Sequence, residues 1–324
     1  MRDRPVDPVT ATARAARFTK RSIKGASKRA GLRLALSMVD LTTLEGKDSS
    51  EKVRALCAKA IRPSELPFQP CLPSVAAVCV YPTLVDTAVR ALEGSSVKVA
   101  SVATGFPSGQ YPLDVRLDDC ARAIAAGADE VDMVISRGAF LAGRVDLVRE
   151  EIRQTRATCV AAAASRARGD VHLKIILETG ELGTLDAVRR ASDIAIDAAT
   201  SVAGAPPLRD GDLFIKTSTG KVQPAATMHV TLVMMEAISD HHLATGVRIG
   251  MKPAGGIRTA KQALAYLVMV KETLGDAWLT PGLFRFGAST LANDLIRQLL
   301  RLELPLSTAL DGVVSYASTY DASE

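Results

Sequence analysis

Three lysines stand at or near the ends of three separate apolar, strand-like runs: Lys174 in VHLKIILETGEL, Lys216 in DLFIKTSTGK and Lys252 in VRIGMKPAGGIR. An ammonium is strongly hydrated and rarely buried without a partner, so three of them in core-like settings point to chemistry. Desolvated or crowded by another cation, a lysine loses its proton near neutral pH and becomes an amine nucleophile. That is what a reaction through a Schiff base requires.

The elements that must position these lysines follow a single pattern from Gly31 onward, in which apolar, β-branched runs alternate with helical stretches, as in parallel βα units. Strands are predicted near Ala35 to Asp40, Val75 to Tyr81, Val97 to Ala103, Glu130 to Ile135, Val171 to Glu178, Asp212 to Thr217, Val247 to Lys252 and Leu283 to Gly287. Helices are predicted near Glu51 to Ala60, Leu84 to Leu92, Leu113 to Ala126, Arg144 to Cys159, Leu185 to Thr200, Pro224 to Asp240, Thr259 to Thr273 and Leu291 to Leu300. Eight such units in roughly 270 residues predict an α/β fold, a TIM (β/α)8 barrel. A doubly wound open sheet would show a glycine fingerprint after its first strand, and MVDLTTLEG is not one.

In a barrel, functional residues sit where strands end and βα loops begin. Asp40 and Thr42 fall at the end of strand one, Cys79 at strand two and Asp132 on strand four. Strand alternation puts Lys174, Ile176 and Glu178 on one side, and Lys216 with Phe214. A carboxylate beside inward lysines satisfies them; taken singly, Lys174 with Glu178 or Asp132 reads equally as a structural ion pair. Cys79 by itself reads as a small core residue. Loops six to eight hold Thr219, Gly220 and Lys221, then Gly255 and Gly256, then Gly287, Ser289 and Thr290. Together they offer amides, hydroxyls, a helix N-terminus and a cation, which suits a phosphate.

Composition narrows the alternatives. The 324 residues are 48% hydrophobic, 23% charged and only 4% aromatic, so a nucleic-acid stacking surface is not expected. No apolar run approaches the ~18 residues of a membrane span. Five cysteines without a CxxC pair, and with no secretory signal ahead of them, suit a reducing cytoplasm. The four histidines lack metal-ligand spacing, so no metal is expected. Residues 1–33 carry ten Lys or Arg against Asp3 and Asp7, a net +8 that leaves −3 of the chain's +5 to the remainder. Pro5, Pro8 and those two aspartates fit a transit peptide poorly, so this basic extension is read as a partly helical segment packed on the body. Residues 34–302 are assigned to the barrel and 303–324 to a tail.

The stretches VDLTTLEG, AVCVYP, VASVATGFPSGQ, GADEVDMVI, LKIILETGEL, DLFIKTSTGK, GMKPAGGIRTA and FRFGAST, in order from about Leu34 to Leu300, resemble the deoxyribose-phosphate aldolases, class I aldolases of TIM-barrel fold. The resemblance implies reversible cleavage of 2-deoxy-D-ribose 5-phosphate to acetaldehyde and D-glyceraldehyde 3-phosphate, in deoxyribonucleoside catabolism and without a cofactor. It makes Lys216 the Schiff-base lysine, Lys252 the neighbour that lowers its pKa, and Asp132 a proton relay. Lys174, Asp40 and Thr42 complete the network, and the glycine loops bind phosphate. Family members often end in a tyrosine that reaches the site; here the chain ends SYASTYDASE, with Tyr320 a better candidate than Tyr316. Expected partners are small phosphorylated sugars and aldehydes and further copies of this chain, as a dimer or tetramer, with no nucleic acid or membrane. Two other functions compete: a phosphate-binding barrel isomerase or lyase without a covalent intermediate, and an anion-binding protein acting through residues 1–33.

Overall fold

Seven short, almost wholly buried runs form one parallel sheet in chain order: β1 (Asp40–Thr42), β2 (Ala77–Val80), β3 (Lys98–Val102), β4 (Glu130–Val134), β5 (His172–Ile176), β6 (Leu213–Lys216) and β7 (Gly250–Lys252). The computed structural model describes residues 5–166 and 169–303. The eighth predicted strand is a stave held by isolated parallel bridges: Phe284 to Met251, Gly287 to Ala254 and Phe286 to Val39. On one side the Arg285 amide donates to the Met251 carbonyl at 3.0 Å; on the other the Phe286 amide donates to Met38 at 2.8 Å. This stretch joins β7 to β1 and closes the sheet into a barrel.

The helices are α1 (Pro8–Phe18), α2 (Gly25–Ser37), α3 (Ser50–Ile61), α4 (Val85–Ala91), α5 (Leu113–Ala125), α6 (Arg137–Leu141), α7 (Val145–Ala164), α8 (Leu185–Thr200), α9 (Met228–Thr245), α10 (Ala260–Leu274) and α11 (Ser289–Glu303). Thr259 caps α10 in a capping box with Gln262, as its position before the helical pattern predicts. The apolar core lies between this outer ring and the outward faces of the strands, where Val78, Val99, Val131, Ile175, Ile215 and Met251 are buried.

One predicted strand is partly a helix. The run from Ala35 to Asp40 alternates well enough to read as β, yet α2 continues to Ser37 and β1 begins at Asp40. Leu32, Ala35 and Leu36 recur at helical spacing and are all buried, so the larger apolar face is the helical one. The boundary placed between residues 33 and 34 therefore falls inside α2. Among the described residues the basic extension forms α1 and the first part of α2, and these pack on the body, α1 against α9 and α10, and α2 against α10 and α11. Ala11 and Ala15 are buried in that contact, while Arg14 pairs with Glu236 and Arg21 with Glu272. A Cβ on Gly31 would come within 2.7 Å of Leu264 Cδ2, so a larger residue there would make the Leu264 side chain shift where α2 meets α10. Tyr316 and Tyr320 lie outside the described residues.

Candidate active site

Sheet register decides which side chains meet inside the barrel. Lys216 and Lys252 are direct partners across β6 and β7, and Asp132 is the partner of Lys174 across β4 and β5. Period-2 alternation puts Glu130 on the same face as Asp132. The result is a buried charge cluster centred on Asp132. Its Oδ2 accepts from Lys216 Nζ at 2.8 Å and from Lys252 Nζ at 2.9 Å; its Oδ1 accepts from Lys174 Nζ at 2.9 Å. Lys252 also pairs with Asp40 Oδ2 at 2.6 Å, and Lys174 donates to Glu130 Oε2 at 2.5 Å.

Glu130 and Arg285 belong to this cluster, and neither stands out in the sequence. The Arg285 guanidinium donates to Asp40 Oδ1 at 2.8 Å and to Glu130 Oε1 at 2.9 Å, closing a ring of alternating charge. It lies 5.9 Å from the centre of the Phe214 ring, a cation–π contact inside the barrel. Gly250 provides the room, since a Cβ there would lie 2.5 Å from the Phe214 ring atoms.

The members of the cluster respond differently to burial. Burial pushes the Lys216 ammonium below the ordinary lysine range and the Lys252 charge adds to this, against the pull of Asp132. Lys252 is also desolvated, but Asp132 and Asp40 outweigh that and raise its pKa, so it stays protonated. Burial alone would raise Asp132; Lys174, Lys216 and Lys252 together hold it well below the usual carboxylate range. One amine whose proton is held less tightly than usual thus sits beside a fixed cation and a fixed anion. Cys79 lies at the edge of the cluster with its thiol pushed up to about 11 by burial. Glu178 is not a member: its backbone turns left-handed at φ 53°, and its carboxylate accepts from the Thr219 amide at 3.2 Å and from the Thr219 hydroxyl.

Loops six to eight come together at one end of the barrel. A Cβ on Gly255, whose φ is +76°, would lie 3.4 Å from Gly220 Cα; one on Gly287 would lie 3.2 Å from Lys252 Cε. The amides of Gly255 and Gly287 close the barrel by donating to Gly287 and Pro253, whereas those of Gly220, Gly256, Ser289 and Thr290 have no partner among the described residues. Ser289 Oγ accepts from the Thr42 amide at 2.7 Å and donates to the Thr42 carbonyl at 2.8 Å, locking the end of β1 to the start of α11. The Lys221 ammonium is paired with Glu45 at 2.6 Å, with both side chains part-exposed. Among the described residues no group of three His, Cys, Asp or Glu is placed to hold a metal ion.

Known proteins resemble the chain over most of its length. The mouse (Mus musculus) deoxyribose-phosphate aldolase is 46% identical over 288 residues, covering 86% of this chain and 84% of the mouse protein. A crystal structure from Coccidioides immitis, provisionally described as a deoxyribose-phosphate aldolase, superposes with a TM-score of 0.61 at 25% identity, over 89% of this chain and 97% of the other. The deoxyribose phosphate aldolase of Aeropyrum pernix, described as having a unique tetrameric structure, gives a TM-score of 0.57 at 22% identity, over 86% and 100% of the two chains. The profile described as DeoC/LacD family aldolase matches residues 34–295. With its barrel and buried lysine cluster inside that span, the chain belongs to the DeoC/LacD family of aldolases.

Proposed function

We propose that the chain reversibly cleaves 2-deoxy-D-ribose 5-phosphate to acetaldehyde and D-glyceraldehyde 3-phosphate, with Lys216 as the amine. The observation that carries this reading is the state of Lys216: buried, depressed in pKa, and 2.8 Å from a carboxylate that also holds Lys252. Its neutral nitrogen adds to the C1 aldehyde of the open-chain sugar, and loss of water gives an iminium. The C3 hydroxyl gives up its proton, the C2–C3 bond breaks, and its electron pair flows into the C1–N system as an enamine. D-glyceraldehyde 3-phosphate leaves; protonation at C2 and hydrolysis of the imine then release acetaldehyde and free Lys216.

Asp132 relays protons with water in the dehydration and enamine steps, and its charge stabilises the iminium across the same short distance. Lys252 keeps Lys216 from holding its proton, while Lys174 and Asp40 fix Asp132 and Lys252 in place. The C5 phosphate lies against the free amides of Gly220, Gly256, Ser289 and Thr290, in a cradle shaped by Gly255, Gly287 and Thr219 and supported by Thr42 beneath Ser289. Lys221 leaves Glu45 to reach the phosphate, and Cys79 lines the inner wall. The same reading places the protein in the cytoplasm, in deoxyribonucleoside catabolism, as a dimer or tetramer; sedimentation velocity decides the assembly. A coupled assay on deoxyribose 5-phosphate tests the reaction: the wild type turns over and Lys216→Ala, folded by circular dichroism, does not. Aldol activity in Lys216→Ala rejects the assignment.

A further inference from the structure

Arg285 carries a charge that the proposed mechanism does not use. Three carboxylates (Asp40, Glu130, Asp132) face four basic groups (Lys174, Lys216, Lys252, Arg285) in a region where all seven are 4% exposed or less. A buried cluster is stable near neutrality, because each uncompensated ion loses hydration without regaining it. With all seven ionised the cluster is one charge positive; it is neutral when a single base gives up its proton. A guanidinium does not give it up, and Lys174 and Lys252 each touch two carboxylates. Lys216 touches one.

We propose that Arg285 is a positioning residue for the reaction: by occupying Asp40 and Glu130 together it makes Lys216 the surplus base of the cluster. This rests on the reading of Lys216 as the reacting amine. Without Arg285 the three carboxylates would need all three lysines as ammonium ions, and Lys216 would hold its proton. No contact between Arg285 and Lys216 is required. Among the described residues two other titratable groups lie against the cluster: Cys79 on β2, whose thiol burial keeps neutral, and His172 on β5, the register partner of Glu130, which burial disfavours as a cation while the Glu130 and Asp212 carboxylates favour it and the Arg285 and Lys174 charges oppose it. Loss of the Arg285 charge would let His172 take up a compensating proton, and the test removes it.

In a His172→Asn background, imine formation is titrated against pH by borohydride trapping of acetaldehyde. Arg285→Met moves the acid limb upward by about one pH unit or more, a tenfold loss of imine on the limb. Arg285→Met combined with Glu130→Gln restores the balance, two carboxylates against three lysines, and returns the limb toward its starting position. Glu130→Gln alone moves it downward, and this variant keeps the test decisive if Arg285→Met does not fold. A folded Arg285→Met with an unmoved limb overturns the proposal; so does an unmoved limb in Glu130→Gln, or a double variant no better than Arg285→Met. If the unsubstituted chain gains no mass at Lys216, it is the Schiff-base reading that fails instead.

Discussion

Replacing Lys252 with methionine removes a cation that shares an oxygen with Lys216. The two ammonium nitrogens, 2.8 Å and 2.9 Å from the same Asp132 Oδ2, cannot be more than 5.7 Å apart. At an effective dielectric of about 20, two unit charges at that separation repel by about 3 kcal/mol, or roughly two pK units. Local relaxation and water entry reduce this, so a rise of one to two units in the Lys216 pKa is expected, on the order of 10- to 100-fold less neutral amine on the acid limb. The sign follows from the chemistry: the neutral form reacts, it is populated above its pKa, and a raised pKa moves the rise in imine formation to higher pH. Asp40 keeps Arg285 as a partner and Asp132 keeps Lys174, so no carboxylate of the ring is stranded. The assay is the pH dependence of borohydride-trapped imine with acetaldehyde, with Lys252→Arg as a charge-retaining control. An acid limb unmoved in folded Lys252→Met refutes the argument that Lys252 depresses Lys216.

Other outcomes follow from the same geometry. Glu45→Gln releases Lys221 from its part-exposed partner, and since such a pair is worth about 0–1 kcal/mol, KM for the phosphorylated sugar falls by up to about fivefold with kcat unchanged. A raised KM contradicts the place given to Lys221. Gly250→Ala sets a methyl 2.5 Å from the Phe214 ring and lowers stability by about 1–3 kcal/mol in urea titration. An unchanged midpoint would mean that the ring has room to move.

The barrel and the lysines were legible because each leaves a local signature. β-branched runs alternate with helical stretches, and a lysine closing an apolar strand is conspicuous whatever surrounds it. Glu130 and Arg285 were not legible. Glu130 opens its strand, where a solvated carboxylate is ordinary, and Arg285 lies in a five-residue stave whose facing depends on barrel closure. Alternation alone pairs Glu130 with Asp132 on one face, and that was the available hint. For Glu178 the same alternation failed, because β5 ends at Ile176 and the chain turns left-handed two residues later. The Ser289 link to Thr42 and the pairing of Lys221 with Glu45 join residues 247 and 176 positions apart, which no local pattern encodes.

The proposed reaction runs through a covalent bond between Lys216 and a carbonyl carbon. Borohydride reduction of the whole protein in the presence of acetaldehyde, followed by peptide mass mapping, reads that bond directly. The expected result is one ethyl group on Lys216, lost in Lys216→Ala and absent from Lys174 and Lys252. A fully active protein that gains no mass at Lys216, or gains it at another lysine, contradicts the account.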